Sequence, residues 1–417
     1  MTLNIGVFGL GFVGLTTALG FAEKGFLTRG FDVNESRLKN ISNGKLPFLE
    51  PGLDEALTRN LNKNFIPATT AAEAAKESDV LFLCVGTPRS ENGSSDLSFV
   101  FSVLDSIIPV LSDNRYRVLV IKSTVPPGTA QNEILPYLHV KKISGNFSLA
   151  NNPEFLREGK CWDDFIKPDR IVCGSNDERA GRILKIIYQP FNAPLHIVSL
   201  NTAEFIKYLS NTMLAAMISF SNEMSMISDK IGNIDTGHAF RILHEDKRLK
   251  NSGIADYIYP GCGYGGYCLP KDTLAMAEKA KQYGFTPQIL EKVIEVNEGM
   301  PSFFADKIKS SADKNEKIGI LGLSFKPESD DVRDSASAKI IALLKKDGYK
   351  NINVHDPAAN KTFNDLYHFE NIKYFTDKNS LCSESDIIVL VTAWEEYRRL
   401  RSEFPRKKWI DCRYFLG

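Results

Sequence analysis

No stretch of this chain approaches the roughly 20 consecutive apolar residues of a membrane helix, so a membrane protein is not expected. An excess of one charge is also missing: 51 Lys and Arg balance 51 Asp and Glu. That balance removes the electrostatic reason to expect nucleic acid or an anionic membrane as partner, while leaving room for a local basic pocket. Cysteine is sparse and scattered, at 84, 161, 173, 262, 268, 382 and 412. An odd count in a large chain argues against a disulfide framework and for a reducing, cytoplasmic setting. No pair has zinc-ligand spacing, so no metal is expected. A secretory signal is not expected either, because Met1-Thr2-Leu3-Asn4-Ile5-Gly6 lacks a basic start and reaches glycine early. What is present is a globular composition, 43% hydrophobic and 24% charged over 417 residues, enough for two or three domains.

The first motif lies at the start. Asn4-Ile5-Gly6-Val7-Phe8-Gly9 reads as a short buried strand, and Leu15 to Lys24 has helical apolar spacing. Gly9-Leu10-Gly11-Phe12-Val13-Gly14 lies between them, and a second strand closes on Asp32, 23 residues past Gly9. A lone G-x-G-x-x-G is weak, but strand, fingerprint, helix, strand and acid in that order is strong. Gly9, Gly11 and Gly14 permit a tight turn and close approach of a pyrophosphate to the helix N-terminus. Asp32 then accepts from the ribose hydroxyls, which favours NAD over NADP. The plainer alternative is an α/β unit without nucleotide.

Two further apolar runs, Asp79 to Val85 and Arg117 to Ile121, end in the polar loops Gly86-Thr87-Pro88 and Lys122-Ser123-Thr124-Val125-Pro126-Pro127-Gly128. In a doubly wound sheet those carboxyl ends face the ligand crevice. Asn151-Asn152-Pro153-Glu154-Phe155-Leu156-Arg157-Glu158-Gly159 predicts a helix start with Pro153 in its first position, which would place Glu154 and Glu158 on one face. Thr202 to Ile231 predicts one long helix without internal Gly or Pro. Its stripe of Ala203, Ile206, Leu209, Met213, Met217, Phe220 and Met224 reads as a packing face, within the domain or between subunits. Lys207 and Asn211, four residues apart, share one face, and a Lys among apolar residues is usually a snorkelling side chain. The third section repeats the first in outline, with Lys317 to Leu323, Asn353 to Pro357 and Ser385 to Thr392 echoing its strands. Its loop reads Gly322-Leu323-Ser324-Phe325-Lys326-Pro327, where a lysine suggests a different phosphate ligand. The fold expected is α/β, with two Rossmann-like doubly wound domains joined by a long central helix.

The stretch that focuses the chemistry is Gly263-Tyr264-Gly265-Gly266-Tyr267-Cys268-Leu269-Pro270-Lys271-Asp272. Three glycines in four positions let the backbone lie close to a ligand. A thiol follows, with a cation and a carboxylate three and four residues on, and thiolate beside positive charge is a nucleophile. The plainer alternative is a glycine turn, a buried cysteine and a helix starting at Pro270.

Together these motifs resemble those of the UDP-glucose/GDP-mannose dehydrogenase family over nearly the whole chain. The motifs are the fingerprint at 9–14, Val85-Gly86-Thr87-Pro88, Ser123-Thr124-Val125-Pro126, Pro153 to Gly159, the Lys207/Asn211 pair, Gly263 to Asp272, and Phe325-Lys326-Pro327 with Arg333. Tyr264 and Tyr267 make the glycine loop resemble the UDP-glucose members more than the GDP-mannose ones. The resemblance implies an NAD-binding domain over 1–198, a central helical dimerisation segment with the cysteine loop over 199–300, and a UDP-sugar domain over 301–417. It implies a homodimer through the central helix. It implies that Cys268 captures a C6 aldehyde as a thiohemiacetal, which a second oxidation turns into a thioester. Lys207 and Asn211 would face the oxyanion, Asp272 would act as base, and Glu158 with Glu154 and Thr124 would position water. Thr87, Thr124, Glu158, Lys271 and Arg333 would lie beside NAD. Glu154, Phe155, Leu156, Lys207, Asn211, Tyr257, Gly263, Tyr264, Gly265, Phe325 and Lys326 would bind the sugar nucleotide, with Arg413 near the uridine. Arg248 would reach the substrate from a neighbouring subunit.

Three alternatives stay open at this point. The same chemistry could act on GDP-mannose or a UDP-N-acetylhexosamine. A two-electron dehydrogenase of the 6-phosphogluconate or hydroxyacid type would need no thiol. A nucleotide-sugar binder without catalysis would need neither Cys268 nor Asp272.

Overall fold

The computed structural model describes residues 3–416 apart from 49, 91–92, 114, 142–145 and 251–252. Met1 and Thr2, at the head of the N-terminal stretch read above, lie outside the described residues. The chain divides into two units, Met1–Leu209 and Ser210–Gly417.

In the first unit the strands are β1 (Ile5–Phe8), β2 (Thr28–Phe31), β3 (Phe65–Pro67), β4 (Val80–Leu83), β5 (Arg117–Ile121), β6 (Phe147–Asn151), β7 (Ile171–Ser175) and β8 (Leu195–Val198). They form one sheet in the order β3-β2-β1-β4-β5-β6-β7-β8. Pairing is parallel throughout except between β6 and β7. The leading 3-2-1-4-5-6 order is that of a dinucleotide fold, and the order reverses between β1 and β4. β1, β4 and β5 are buried along their whole length, as a parallel sheet covered on both faces requires. Phe21, on the helix Phe12–Glu23, packs against Phe82, Phe165, Tyr188 and Phe191 at ring-centroid distances of 5.1–5.7 Å. This cluster fixes the helix Cys161–Ile166 against Phe12–Glu23. Truncating Phe21 to Ala would cost about 3–5 kcal/mol.

The second unit has β9 (Ile318–Leu321), β10 (Ile352–His355), β11 (Ile372–Tyr374), β12 (Ile387–Leu390) and β13 (Lys408–Asp411). Their order is β11-β10-β9-β12-β13, all parallel. In its own chain order this is 3-2-1-4-5, so the echo between the first and third sections reflects a repeated topology. Two helices, Cys268–Gln282 and Gln288–Ser311, precede this sheet.

The long helix runs from Leu200 to Ile231. It stops where Gly232 and Asn233 take left-handed φ values of 76° and 56°. Of the apolar stripe, its fully buried side takes only Ala203. Ala203, Glu204, Lys207, Tyr208, Asn211, Ala215 and Asn222 are buried, whereas Leu209 and Phe220 are 52% and 56% exposed. Met213 and Met224 are exposed as well. Within one chain the stripe therefore covers little, and polar side chains occupy the buried face.

Candidate active site

The first unit supplies a nucleotide cradle. At Gly14 a Cβ would sit 1.7 Å from the Gly9 carbonyl oxygen, so only glycine lets the helix start this close to β1. At Gly11 a Cβ would meet nothing within 4 Å, which leaves open space at the helix N-terminus for a pyrophosphate. Asp32, buried just past the end of β2, accepts from the Leu10 N–H at 2.7 Å and the Asn34 N–H at 2.8 Å. The Arg37 guanidinium lies 2.9 Å from its Oδ2. Thr87 Oγ1 donates to the Thr124 carbonyl at 2.7 Å, tying the loops after β4 and β5 together. An open turn, a helix N-terminus and a fixed carboxylate at these places fit a dinucleotide.

The segment after β6 corrects one expectation. No helix starts at Pro153, and residues 152–157 form an irregular loop. Asn152 sets its course: it accepts from Lys122 Nζ at 2.8 Å and the Tyr188 hydroxyl at 2.5 Å, and donates to the Val172 carbonyl. Glu154 Oε2 then accepts from the Leu156 N–H at 2.5 Å, a local turn that replaces the helical register. Without a helix Glu154 and Glu158 share no helical face, and Glu158 stands on a turn, half-buried. The next helix begins only at Cys161.

Glu154 and Lys207 form a buried ion pair at 2.9 Å. Burial opposes the Glu154 charge, but the Lys207 ammonium, the Leu156 N–H and the Lys122 charge outweigh it and hold the carboxyl below its usual range. Phe155 lies beneath two cations, with the Arg170 guanidinium 4.3 Å and Lys207 Nζ 5.5 Å from its ring centre. Leu156 is half-buried and packs against the main core of the unit.

In the second unit the helix begins at Cys268 rather than Pro270. The thiol therefore sits at a helix N-terminus, where the backbone dipole favours a thiolate. Cys268 is exposed while the other six cysteines are buried, and none of the seven forms a disulfide. Asp272 is one turn further along the same helix and 1% exposed. It accepts from Asn211 Nδ2 at 2.7 Å and from Lys271 Nζ at 2.5 Å. Asn211 in turn stands one turn from Lys207 on the central helix.

The glycine loop is clamped from two sides. The Gly266 N–H donates to the Arg333 carbonyl at 2.9 Å. Gly266 has φ of 76°, and a Cβ there would lie 2.9 Å from the Phe325 ring. A Cβ on Gly265 would meet Phe325 and the Asp334 carbonyl. The Arg333 guanidinium lies 4.6 Å from the Tyr267 ring centre and pairs with Asp331 at 2.6 Å. On the other side Asn297 accepts from the Tyr264 N–H at 2.7 Å and donates to its carbonyl at 3.2 Å. Tyr264 is buried, and burial pushes its phenol up to about 12. Gly263 lies against the same Asn297 side chain.

The structure thus brings Cys268, Asp272, Asn211, Lys271, Phe325 and Arg333 into one connected set. Lys326 is half-buried, with its ammonium 5.6 Å from the Phe325 ring centre. Arg413 packs over Gly261, where a Cβ would come 2.4 Å from Nη1. Tyr257 ends a short turn of helix, Ala255–Tyr257, and is half-buried. Arg248 is not gathered in; its side chain is 87% exposed and pairs with Asp246 at 2.6 Å.

Residues 3–192 match the family model described as the NAD binding domain of the UDP-glucose/GDP-mannose dehydrogenase family, residues 201–299 its central domain and residues 319–417 its UDP binding domain. The chain belongs to the UDP-glucose/GDP-mannose dehydrogenase family. It is 38% identical over 406 residues to a UDP-glucose 6-dehydrogenase of Rickettsia bellii, covering 95% of this chain and 91% of that one. It is 34% identical to the UDP-glucose 6-dehydrogenase TuaD of Bacillus subtilis, covering 95% and 85%. Among solved structures it resembles a UDP-glucose dehydrogenase of the archaeon Pyrobaculum islandicum, with a TM-score of 0.93, 36% identity, and 100% and 95% of the two chains covered. A UDP-D-ManNAc dehydrogenase of Pyrococcus horikoshii aligns with a TM-score of 0.85 and 25% identity over 100% and 96% of the chains.

For this family member, two supports escaped the sequence reading. Asn297 sits on the buried face of Gln288–Ser311 with Val293, Met300 and Phe304. A polar residue in an otherwise apolar stripe was the available signal. Asn222 accepts from the Gly261 N–H at 2.7 Å and steadies the approach to the glycine loop. Among the described residues no helix is long and apolar enough to cross a membrane.

Proposed function

We propose that this chain oxidises the C6 alcohol of UDP-glucose to a carboxylate in two steps, through a covalent adduct on Cys268. The observation that carries this reading is the exposed Cys268 thiol at a helix N-terminus, one turn from an Asp272 held by Asn211 and Lys271. When bound, NAD supplies the oxidant of each step and takes up one hydride per molecule.

Asp272 accepts the alcohol proton as the aldehyde forms. The Cys268 thiolate then adds to the aldehyde carbon, making a C–S bond and an oxyanion. The Lys207 ammonium and the Asn211 amide stabilise that oxyanion. Oxidation of the thiohemiacetal gives a thioester, and water breaks its C–S bond to release the acid and restore the thiol. Glu158, Glu154 and Thr124 position that water. Glu154 is suited to this because its pairing with Lys207 keeps it ionised despite burial. We assign Phe325, Lys326 and Arg413 to the UDP end of the substrate, Lys271 and Arg333 to the cofactor, and Tyr264, Phe155 and Leu156 to the sugar.

The exposed side of the central helix supports a homodimer. Leu209, Met213, Phe220, Met224 and Ile227 lie along it. Met213 and Phe220 also line an apolar pocket of about 410 Å³ with Met217, Leu243, Leu249 and Ile258. A second copy laid on this helix would bury both stripes, and a partner's Arg248 would then be available to the substrate.

Formation of NADH, followed at its absorbance band over a panel of nucleotide sugars, tests the assignment. UDP-glucose should give the highest catalytic efficiency. Higher efficiency with GDP-mannose, UDP-N-acetylmannosamine or UDP-N-acetylglucosamine would overturn the substrate, and no turnover with any of them would overturn the activity.

A further inference from the structure

We infer that Glu204 is a positioning residue that holds the loop after β5 in place for the nicotinamide half of the cofactor; this rests on the NAD-dependent reading above. Asp32 marks the adenosine side of the cradle, at the end of β2. By the two-fold logic of a dinucleotide fold, the loops after β4 and β5, beyond the switch point, face the other half. The loop after β5 carries Ser123 and Thr124. The Ser123 hydroxyl donates to the Val85 carbonyl at 2.7 Å, and the Thr124 carbonyl accepts from Thr87 at 2.7 Å. These bonds join the two loops to each other, but they do not fix how far both stand from the rest of the site.

Glu204 supplies that distance. It lies in the first turns of the central helix and is 3% exposed. Its Oε2 accepts from the Gly128 N–H at 2.7 Å and its Oε1 from the Ala130 N–H at 2.9 Å. A carboxylate that engages two backbone donors at once makes charge-assisted bonds, about twice as strong as neutral ones. Gly128 has φ of 92°, so the chain turns there, and its N–H points to the helix rather than into a regular ladder. Three residues further on, Lys207 engages Glu154 in the loop after β6. Asn151 Nδ2 also donates to the Leu200 carbonyl at the head of the helix. The first two turns therefore grip the loops that follow β5 and β6, the loops of Thr124 and Glu154. A cavity of about 10 Å³, no larger than one water, is lined by Thr124, Glu204 and Lys207. The loop is thus close-packed on the helix.

A glutamine at 204 has one acceptor oxygen and turns its NH₂ towards a backbone donor, so one of the two amides loses its partner. The Thr124 loop then shifts relative to Lys207, and a misplacement of about 1 Å at a reacting centre costs up to roughly 100-fold in rate. The test compares the unaltered protein, Glu204→Gln and Glu204→Ala by four readouts. These are NAD affinity from quenching of protein fluorescence without sugar, hydrogen exchange at the Gly128 and Ala130 amides, melting temperature, and the kcat and KM for each substrate. For Glu204→Gln we expect faster exchange at those amides, NAD binding weakened about 3- to 10-fold, kcat lowered about 10- to 100-fold, and the KM for the sugar nucleotide within 2-fold. Glu204→Ala should exceed Glu204→Gln in each affected readout. A lower melting temperature with NAD affinity and kcat both within 2-fold in Glu204→Gln would show a merely structural role and overturn the inference. Failure of the unaltered protein to bind NAD would overturn this inference together with the reading beneath it, and is told apart by needing no variant.

Discussion

Asn211 Nδ2 donates to Asp272 Oδ2 at 2.7 Å, and both side chains are buried. The bond joins the central helix to the helix that begins at Cys268. It leaves Asp272 with one oxygen on an amide and the other on Lys271. Two donors fix the direction in which the Asp272 carboxyl points, and a proposed base needs that geometry first.

Replacing that carboxylate should therefore cost rate rather than affinity. Asp272→Asn keeps the volume but offers an amide to the Lys271 ammonium. We expect kcat to fall about 10²- to 10⁴-fold, the usual worth of a positioned base, with the KM for UDP-glucose within about 3-fold. Steady-state kinetics of the variant checks this. A kcat within 5-fold of the unaltered protein would remove Asp272 from the chemistry.

Lys207→Met isolates the Glu154 charge. In the unaltered protein Glu154 titrates below its usual range. A depressed acid adds stability above its unfolded value, roughly pH 4.3, and loses it as pH falls through the folded value. Without Lys207, burial dominates and the carboxyl titrates upwards. Breaking one partner of a buried pair costs about 3–5 kcal/mol at neutral pH. The stability gap between the two proteins should shrink as pH falls towards 5, because protonating Glu154 relieves the variant. Denaturant unfolding at pH 7.5 and 5 measures it, and a gap that does not change with pH would contradict the account.

Cofactor choice follows from Asp32. A 2′-phosphate placed beside its buried carboxylate brings like charges together, at a cost of several kcal/mol. We expect the unaltered protein to prefer NAD by about 100-fold or more in kcat/KM. Asp32→Gly should relax this, because Arg37, now 2.9 Å from Asp32, would stay behind to face a phosphate. Equal efficiency with NADP in the unaltered protein would sink the argument.

The exposed helix stripe gives a prediction about assembly. Phe220→Glu together with Met213→Glu puts charge on the centre of the apolar face. Light scattering should show two chains per particle in the unaltered protein and one in the double variant. A unaltered protein that runs as one chain at micromolar concentration would rule out the central-helix dimer.

Much of this was legible in the sequence because local chemistry enforces it. The strand before Gly9 announced itself by the apolar run that a buried parallel sheet requires, and the fingerprint with Asp32 in the expected place fixed its connection to a second strand that is not an apolar run. The thiol loop stood out because three glycines and a cysteine have few other uses together. Pro153 misled, since proline at a strand end satisfies the same local rule as proline at a helix start. The side chain of Asn152, through Lys122 and Tyr188, decided between them. The central helix was correct in extent, but periodicity alone could not say which face is buried. Its buried face carries Glu204, Lys207 and Asn211, whose partners lie 53 to 76 residues away in sequence. Asn297 was missed for the same reason, as its partner is the backbone of Tyr264, 33 residues earlier.

The covalent role proposed for Cys268 is tested most directly by counting NADH formed per UDP-glucuronate released, in the unaltered protein and in Cys268→Ala. The unaltered protein should form two NADH per acid and release no aldehyde. Cys268→Ala should bind UDP-glucose and NAD nearly as well, yet lose turnover by about 10⁴-fold or more. Cys262→Ala, in a thiol buried within the core of the second sheet, should stay within about 10-fold. Substantial acid formation by Cys268→Ala, or one NADH with free aldehyde from the unaltered protein, would contradict the account.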